Sequence, residues 1–208
     1  QQGIKASPME LRRMLSMLAH QQGSLINYAE LGKALGWDQK TVKRYCDLLE
    51  SLFLVRQLPP WSGNLKKRLV KSPKVFLRDT GLLHSLLGLD GVESLLGHPV
   101  CGHSWEGFCI EQILSAANHQ WRATHYRTHA GSEIDLILEY GQRRIAIEIK
   151  RTLAPKMTPG LREALKTMDV DKSYIVIPSR EDTPYPLGHN VEVVSLPGFL
   201  SILEATLN

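Results

Sequence analysis

The stretch GSEIDLILEYGQRRIAIEIKRT, Gly131–Thr152, alternates apolar and polar residues on both sides of a short turn. This period of two predicts two antiparallel strands joined as a β-hairpin. Asp135, Glu148 and Lys150 lie at positions of the hairpin that share one face of the sheet. The sequence therefore predicts a charged cluster where apolar side chains would be usual.

The position of the turn decides how close the two acidic residues lie. A turn centred on Gly141-Gln142 places Asp135 directly opposite Glu148, with Cβ atoms about 5 Å apart. A turn one residue earlier puts Glu133 in that place and moves Asp135 to the diagonal, about 7 Å away. In both registers two carboxylates are neighbours, and they need a compensating positive charge. Lys150 supplies one such charge, and a hard divalent cation would supply the rest.

A plain structural interpretation of the hairpin is also open. Alternating apolar and charged residues are ordinary in an antiparallel sheet with one face in water. In that case Asp135 and Glu148 are solvated side chains, and the hairpin has no site.

The N-terminal third of the chain has the pattern of a helix-turn-helix module. An amphipathic helix over residues 9–20 is followed by a short helix capped by Asn27 and ended by Gly36. A third helix then begins after Asp38, a favourable N-cap residue. Strands over residues 54–58 and 68–77 complete the pattern of a winged helix.

Positive charge is concentrated in this module. Between Lys40 and Arg78 the sequence has ten basic residues against two acidic ones, Asp47 and Glu50. Clustered Lys and Arg on one element are typical of DNA-binding modules, in which they neutralise phosphates. A winged helix that contacts protein is the alternative. The residues predicted to bind nucleic acid lie on the third helix and the wing: Lys40, Lys43, Arg44, Lys66, Lys67 and Arg68.

The remaining pattern predicts a helical connector and a second domain. Residues 80–103 contain short apolar helices, and from Ser104 the predicted order of elements is α, β, β, β, α, β. We therefore predict a winged-helix domain over residues 1–79, a connector over 80–103 and an α+β domain over 104–208. Glu106 lies on an apolar helix face, where it either points into a site or complements the helix dipole. Glu111 is the alternative candidate for the same role.

Composition excludes several classes of protein. The chain has 208 residues, 43% of them hydrophobic and 22% charged, with a net charge of +4 and a pI near 9.0. Its three cysteines form no CxxC pair, which favours a reducing, cytoplasmic setting over a disulfide scaffold or zinc ribbon. No apolar run approaches the roughly 20 residues of a membrane helix. A start at Gln1 without Met indicates a fragment or a processed chain, and oligomerisation stays open.

The order E-I-D, a short turn and I-E-I-K resembles the PD-(D/E)xK superfamily of restriction-endonuclease-like nucleases. Asp135 matches the acidic strand residue of that superfamily, and Glu148 and Lys150 match its (D/E)xK motif. The resemblance implies a Mg²⁺ or Mn²⁺ ion held by Asp135, Glu148 and the carbonyl of Ile149. It also implies catalytic roles for Glu106, Asp135, Glu148 and Lys150.

A wider resemblance covers roughly residues 9–200. The winged helix, KSPKVFLRDTGLLHSLLG, SWEGFCIEQIL and the hairpin together resemble the C-terminal part of a family of bacterial and archaeal AAA-type ATPases. Those proteins end in a nuclease-like domain of unknown function, and the resemblance implies that an ATPase domain precedes this region.

Three functional hypotheses follow from the sequence. The first is a metal-dependent DNA phosphodiesterase. The second is an inactive nuclease-like fold that binds DNA or protein and regulates the ATPase. The third, a plain transcription regulator, accounts for residues 9–78 and leaves the hairpin unexplained.

Overall fold

The chain passes three times between two units in the computed structural model, which describes residues 6–63, 68–181, 183–188 and 190–207. The first unit comprises Gln1–Gln57 and Lys74–Gly107, and the second comprises Leu58–Pro73 and Phe108–Asn208. The short helices that the sequence assigned to a connector fall within the first unit. Both units contain α-helices and β-strands, so the predicted α+β class is present.

The first unit is mainly helical. Its elements are α1 (Pro8–His20), α2 (Tyr28–Leu35), α3 (Gln39–Ser51), β1 (Val55–Leu58), β2 (Lys74–Leu77), α4 (Thr80–Leu86), α5 (Val92–Leu96) and the first turns of α6 (Cys101–Ala116). Strands β1 and β2 form a two-stranded sheet. The core of this unit is apolar and fully buried around Met14, Leu18, Val42 and Leu83.

Local capping explains where the helices of this unit begin and end. The Asn27 side chain accepts a hydrogen bond from the Glu30 amide, and Asp38 accepts one from the Thr41 amide, as predicted for α2 and α3. Gly36 ends α2 with φ of 72°, a left-handed conformation that favours glycine. The α2–α3 turn is therefore specified by local sequence.

The second unit is built on a six-stranded mixed sheet in the order β3-β4-β5-β6-β8-β7. Pairs β5–β6 and β6–β8 are parallel, and the other pairs are antiparallel. After α6 its elements are β3 (Arg122–Arg127), β4 (Glu133–Tyr140), β5 (Arg143–Ile149), α7 (Pro159–Met168), β6 (Lys172–Ile177), β7 (Tyr185–Gly188), β8 (Val191–Ser195) and α8 (Leu196–Leu207). The predicted order α, β, β, β, α, β is present.

Two features of the strands differ from the prediction. The second wing strand, predicted over residues 68–77, is limited to Lys74–Leu77. Residues before it hydrogen-bond elsewhere, since the Val70 amide donates to the Arg127 carbonyl of the second unit. Strand β7 was not predicted, because Pro186 and Gly188 disfavour a strand assignment.

No helix among the described residues has both the length and the apolar character needed to cross a membrane.

Candidate functional site

The hairpin of β4 and β5 has the register that places Asp135 opposite Glu148. Tyr140 pairs with Arg143 across the Gly141-Gln142 turn, and pairing continues to Leu136 with Ile147. Continued by one position, this register brings Asp135 opposite Glu148. The first of the two predicted registers is therefore confirmed.

Asp135 and Glu148 are both buried, with 8% and 6% of their surfaces exposed. The Asp135 Oδ2 atom accepts a hydrogen bond of 2.9 Å from the Ile149 amide, at the end of β5. Water is therefore largely excluded from both carboxylates, and the interpretation of the hairpin face as a solvated surface is wrong. Burial of two facing carboxylates is costly without compensation.

Lys150 provides part of that compensation. Its Nζ atom lies 2.6 Å from Glu148 Oε1, and its side chain is 36% exposed against 8% for that of Glu148. The ammonium group therefore joins the buried carboxylate to the solvent. The structure brings together Asp135, Glu148, the Ile149 backbone and Lys150, and we call this group the carboxylate cluster.

Glu106 has its contacts in the first unit. Its Oε1 atom lies 2.8 Å from Lys74 Nζ, and its Oε2 atom lies 3.2 Å from His103 Nδ1. Helix α6 begins at Cys101, so Glu106 lies beyond its first turn and the helix-dipole interpretation is wrong. A charge pair with buried Lys74 explains the carboxylate on an apolar face. Glu111, the alternative candidate, is also buried and lies in the second unit.

A metal ion would find oxygen donors in the carboxylate cluster, but few of them from side chains. Among the described residues there is no group of three or more His, Cys, Asp or Glu side chains able to hold a metal. Two carboxylates nevertheless suit Mg²⁺, which keeps several water ligands and commonly binds through one or two carboxylates. The donors present fit a hydrated Mg²⁺ or Mn²⁺ ion.

The predicted DNA-binding residues are placed in two groups. Lys40, Lys43 and Arg44 are all exposed on α3 of the first unit. Arg68 is exposed too, but it belongs to the second unit, and Lys66 and Lys67 lie outside the described residues.

The electrostatics of the α3 surface are mixed. Hydrogen bonds from the Thr41 hydroxyl and amide lower the pKa of Asp38, so this carboxylate stays ionised at the helix N-terminus. On the buried side of α3, burial raises the pKa of Cys46 to about 12, with a further contribution from Asp47 and Glu50. The Cys46 thiol is therefore neutral and packs as an apolar group.

Lys74, one of the ten basic residues between Lys40 and Arg78, is 2% exposed and therefore unavailable to a polyanion.

Sequence reasoning missed the pairing of residues 58–63 and 68–73 with the edge strand β3, where Pro60 bridges His125 and Leu69 bridges Thr128. We call these residues the edge segment. The Trp61 indole Nε1 donates a 2.9 Å hydrogen bond to Glu139, which also accepts one of 2.9 Å from Arg144 Nε. The signal in the sequence was weak, since nothing local to Trp61 indicates a partner 78 residues away.

Comparison with protein families divides the chain in two. Residues 1–93 match the model of a domain of unknown function (DUF8612), and residues 101–199 match that of another (DUF4143). Neither description assigns an activity.

Two relatives of this chain are named as uncharacterized proteins. The chain is 40% identical over 196 residues to the uncharacterized protein Mb2031c of Mycobacterium bovis and, equally, to Rv2008c of Mycobacterium tuberculosis. Each match covers 93% of this chain but 43% of the relative, so the chain spans less than half the length of these proteins. Among solved structures, protein VC1899 from Vibrio cholerae is similar over 97% of this chain and 56% of its own, with 13% identity and a TM-score of 0.31. That likeness is too low to support an argument.

Proposed function

We propose that the second unit is a metal-dependent phosphodiesterase that acts on DNA. The observation that supports this best is the burial of two facing carboxylates, Asp135 and Glu148, beside the Lys150 ammonium. Buried acidic pairs beside a partly exposed cation are costly to stability and are typical of sites where charge is used in chemistry.

Each residue of the carboxylate cluster has a defined role in this proposal. Asp135, Glu148 and the Ile149 carbonyl would hold Mg²⁺ or Mn²⁺, which supplies Lewis-acid stabilisation of charge on the scissile phosphate. Lys150, joined to the solvent, orients the attacking water and neutralises charge on the phosphate. The role predicted for Glu106 stays a prediction.

The finer fold assignment is part of the same proposal. The first unit resembles a winged helix, and the order α6, β3, β4, β5, α7, β6 resembles the core of the restriction-endonuclease-like nucleases. We further propose that the chain is the C-terminal region of a cytoplasmic AAA-type ATPase. Curated relatives more than twice as long leave room for such a domain.

A second candidate function is an inactive nuclease-like module that binds DNA or protein and regulates the ATPase. The internal contacts of the carboxylate cluster favour it, because Asp135 already accepts from the Ile149 amide and Glu148 already pairs with Lys150. A cluster satisfied in this way holds the fold together without metal.

Calorimetry with Mn²⁺ tests the metal site. We expect binding heat for the native protein and none for the Asp135→Asn, Glu148→Gln double variant, because both hard oxygen donors lose their charge while the shape is kept. Incubation of the native protein with Mn²⁺ and single-stranded, duplex and branched DNA then tests cleavage.

Two exposed carboxylates provide the control for metal binding. The Glu181→Gln, Glu192→Gln variant removes the same charge from the surface of the second unit and should keep the binding heat. Equal heats for the native protein and the Asp135, Glu148 variant would remove the metal site from the proposal.

A further inference from the structure

The second unit has a basic surface of its own. Arg68, Lys71 and His129 line a pocket of about 740 Å³ together with Trp61 and Ser62. All three basic or titratable side chains are exposed, and no acidic residue is among the described residues that line the pocket. We call this the edge pocket.

Backbone hydrogen bonds fix the edge pocket to the sheet. On one side of it the Trp61 amide donates to the His125 carbonyl at 2.6 Å. On the other, the Val70 amide donates to the Arg127 carbonyl at 3.0 Å and the His129 amide to the Arg68 carbonyl at 3.2 Å. The edge segment therefore extends the sheet beyond β3 at these points, and Arg68 lies on backbone that is hydrogen-bonded to the sheet.

Side-chain contacts fix the floor of the pocket. Trp61 is 8% exposed, and its ring lies under the Arg144 guanidinium, 5.5 Å from the ring centroid. Its indole nitrogen donates to Glu139. Trp61 is thus an anchor of the edge segment, and Arg68 and Lys71 line the same pocket as exposed side chains.

The side of the edge pocket formed by Arg68 and His129 lies at the same end of the sheet as the carboxylate cluster, since the His129 amide donates to the Arg68 carbonyl just beyond the end of β3. Arg127, at the end of β3, pairs with Glu133, at the start of β4, and β5 ends at Ile149 beside that start. The edge segment lies one strand spacing beyond β3, so three spacings, about 15 Å in all, separate it from β5. An extended polyanion held by Arg68 and Lys71 can therefore reach Glu148 and Lys150 by crossing the ends of β3 and β4.

An acidic residue near the edge pocket limits which basic side chains can attract an anion there. The Arg127 guanidinium lies 3.2 Å from the Glu133 carboxylate, so these two charges largely offset each other. Arg68 and Lys71 are the cations that the pocket presents.

We propose that the edge pocket binds the phosphodiester backbone of a DNA strand, and that another phosphate further along the same strand lies at the carboxylate cluster. This inference deepens the proposed function and rests on it for the identity of the polymer. Exposed Arg68 and Lys71, with no acidic side chain among the described residues of the lining, match a repeating anion. The second unit would then hold DNA without help from α3.

The test is DNA binding by the full chain in EDTA, where cleavage does not occur. The Arg68→Gln, Lys71→Gln variant is compared with native protein on a fluorescein-labelled DNA strand, single and duplex, at several salt concentrations. Loss of two phosphate contacts should lower the salt slope by about 1.8 on duplex DNA and by about 1.4 on the single strand. The ratio of native to variant affinity for duplex DNA should accordingly fall about tenfold between roughly 50 and 200 mM salt. Circular dichroism verifies that the variant is folded.

A control variant with the same change in net charge distinguishes the loss of the pocket's cations from a general loss of positive charge. Arg162→Gln, Lys166→Gln removes two exposed cations from α7 and should leave affinity and slope close to native values. Equal losses in the two variants, an unchanged pocket variant, or a native chain that does not bind DNA would each overturn the inference. Cleavage by the native protein with Mn²⁺ is scored separately, so an inactive chain that loses binding in the pocket variant keeps this inference and rejects the nuclease.

Discussion

Lys150 is the residue at which the two candidate functions differ most. In a nuclease, Lys150→Ala should keep DNA affinity and reduce turnover at least about a hundredfold, because removing one group that stabilises transition-state charge costs about 2.7–4 kcal/mol. In an inactive module, the same change leaves Glu148 without its 2.6 Å partner and lowers the melting temperature. Cleavage rate and thermal melting of one variant distinguish these outcomes.

Lys156→Ala serves as the control for Lys150, because Lys156 is an exposed lysine nearby in the sequence. It should change neither quantity. A destabilised Lys150→Ala variant beside a well-folded native protein that cleaves none of the DNA forms would favour the binding module.

At the level of elements, α3 is the predicted DNA-binding surface of the first unit. Replacing Lys40, Lys43 and Arg44 by Gln should weaken duplex binding for all sequences alike and lower the salt slope by about 2.7, since three phosphate contacts are lost. Titration of labelled duplexes of different sequence at several salt concentrations measures both effects.

Three exposed cations elsewhere in the same unit provide a matched control. Arg12, Arg13 and Lys33 lie on α1 and α2, and their replacement by Gln removes equal charge. If affinity and slope stay at native values when the α3 residues are replaced, the module is a protein-binding surface.

Elements specified by neighbouring residues were predictable from the sequence, and those specified by distant ones were not. Asn27 and Asp38 cap helices through residues three positions away, and the Gly141-Gln142 turn sets the hairpin register. The edge segment instead depends on Trp61 binding Glu139. The basic and apolar residues of the edge segment fit the wing of a winged helix equally well. The pattern alone therefore predicted the wrong pairing partners for residues 68–73.

The candidate site shows the same division. Alternation predicted that Asp135 and Glu148 share one face and left two turn positions open, and the structure has the one that places them opposite each other. The partner of Glu106 was missed, since Lys74 lies 32 residues earlier and no periodic pattern connects them. Burial of the carboxylates also required the whole sheet, which the sequence describes only strand by strand.

For the whole molecule, the division into units predicts how fragments behave. A fragment of residues 1–79 ends at the predicted domain boundary but lacks Leu83 and Val100 of the core and Glu106, the partner of buried Lys74. We expect it not to unfold cooperatively, whereas residues 1–107 include every residue of the first unit and should do so. Thermal unfolding followed by circular dichroism compares the two fragments. Cooperative melting of the shorter fragment at the temperature of the longer one would contradict the expectation.

The chain crosses between the units at 57/58, 73/74 and 107/108. These crossings limit how recombination can divide the gene. A single crossover in the gene divides at least one unit, because each unit is encoded by two separated segments. Transfer of either unit intact to another protein requires breakpoints on both sides of residues 58–73. We therefore expect the coding sequence of both units to be transferred between genomes as one stretch. We also expect the amino-acid sequences of the two units to diverge together.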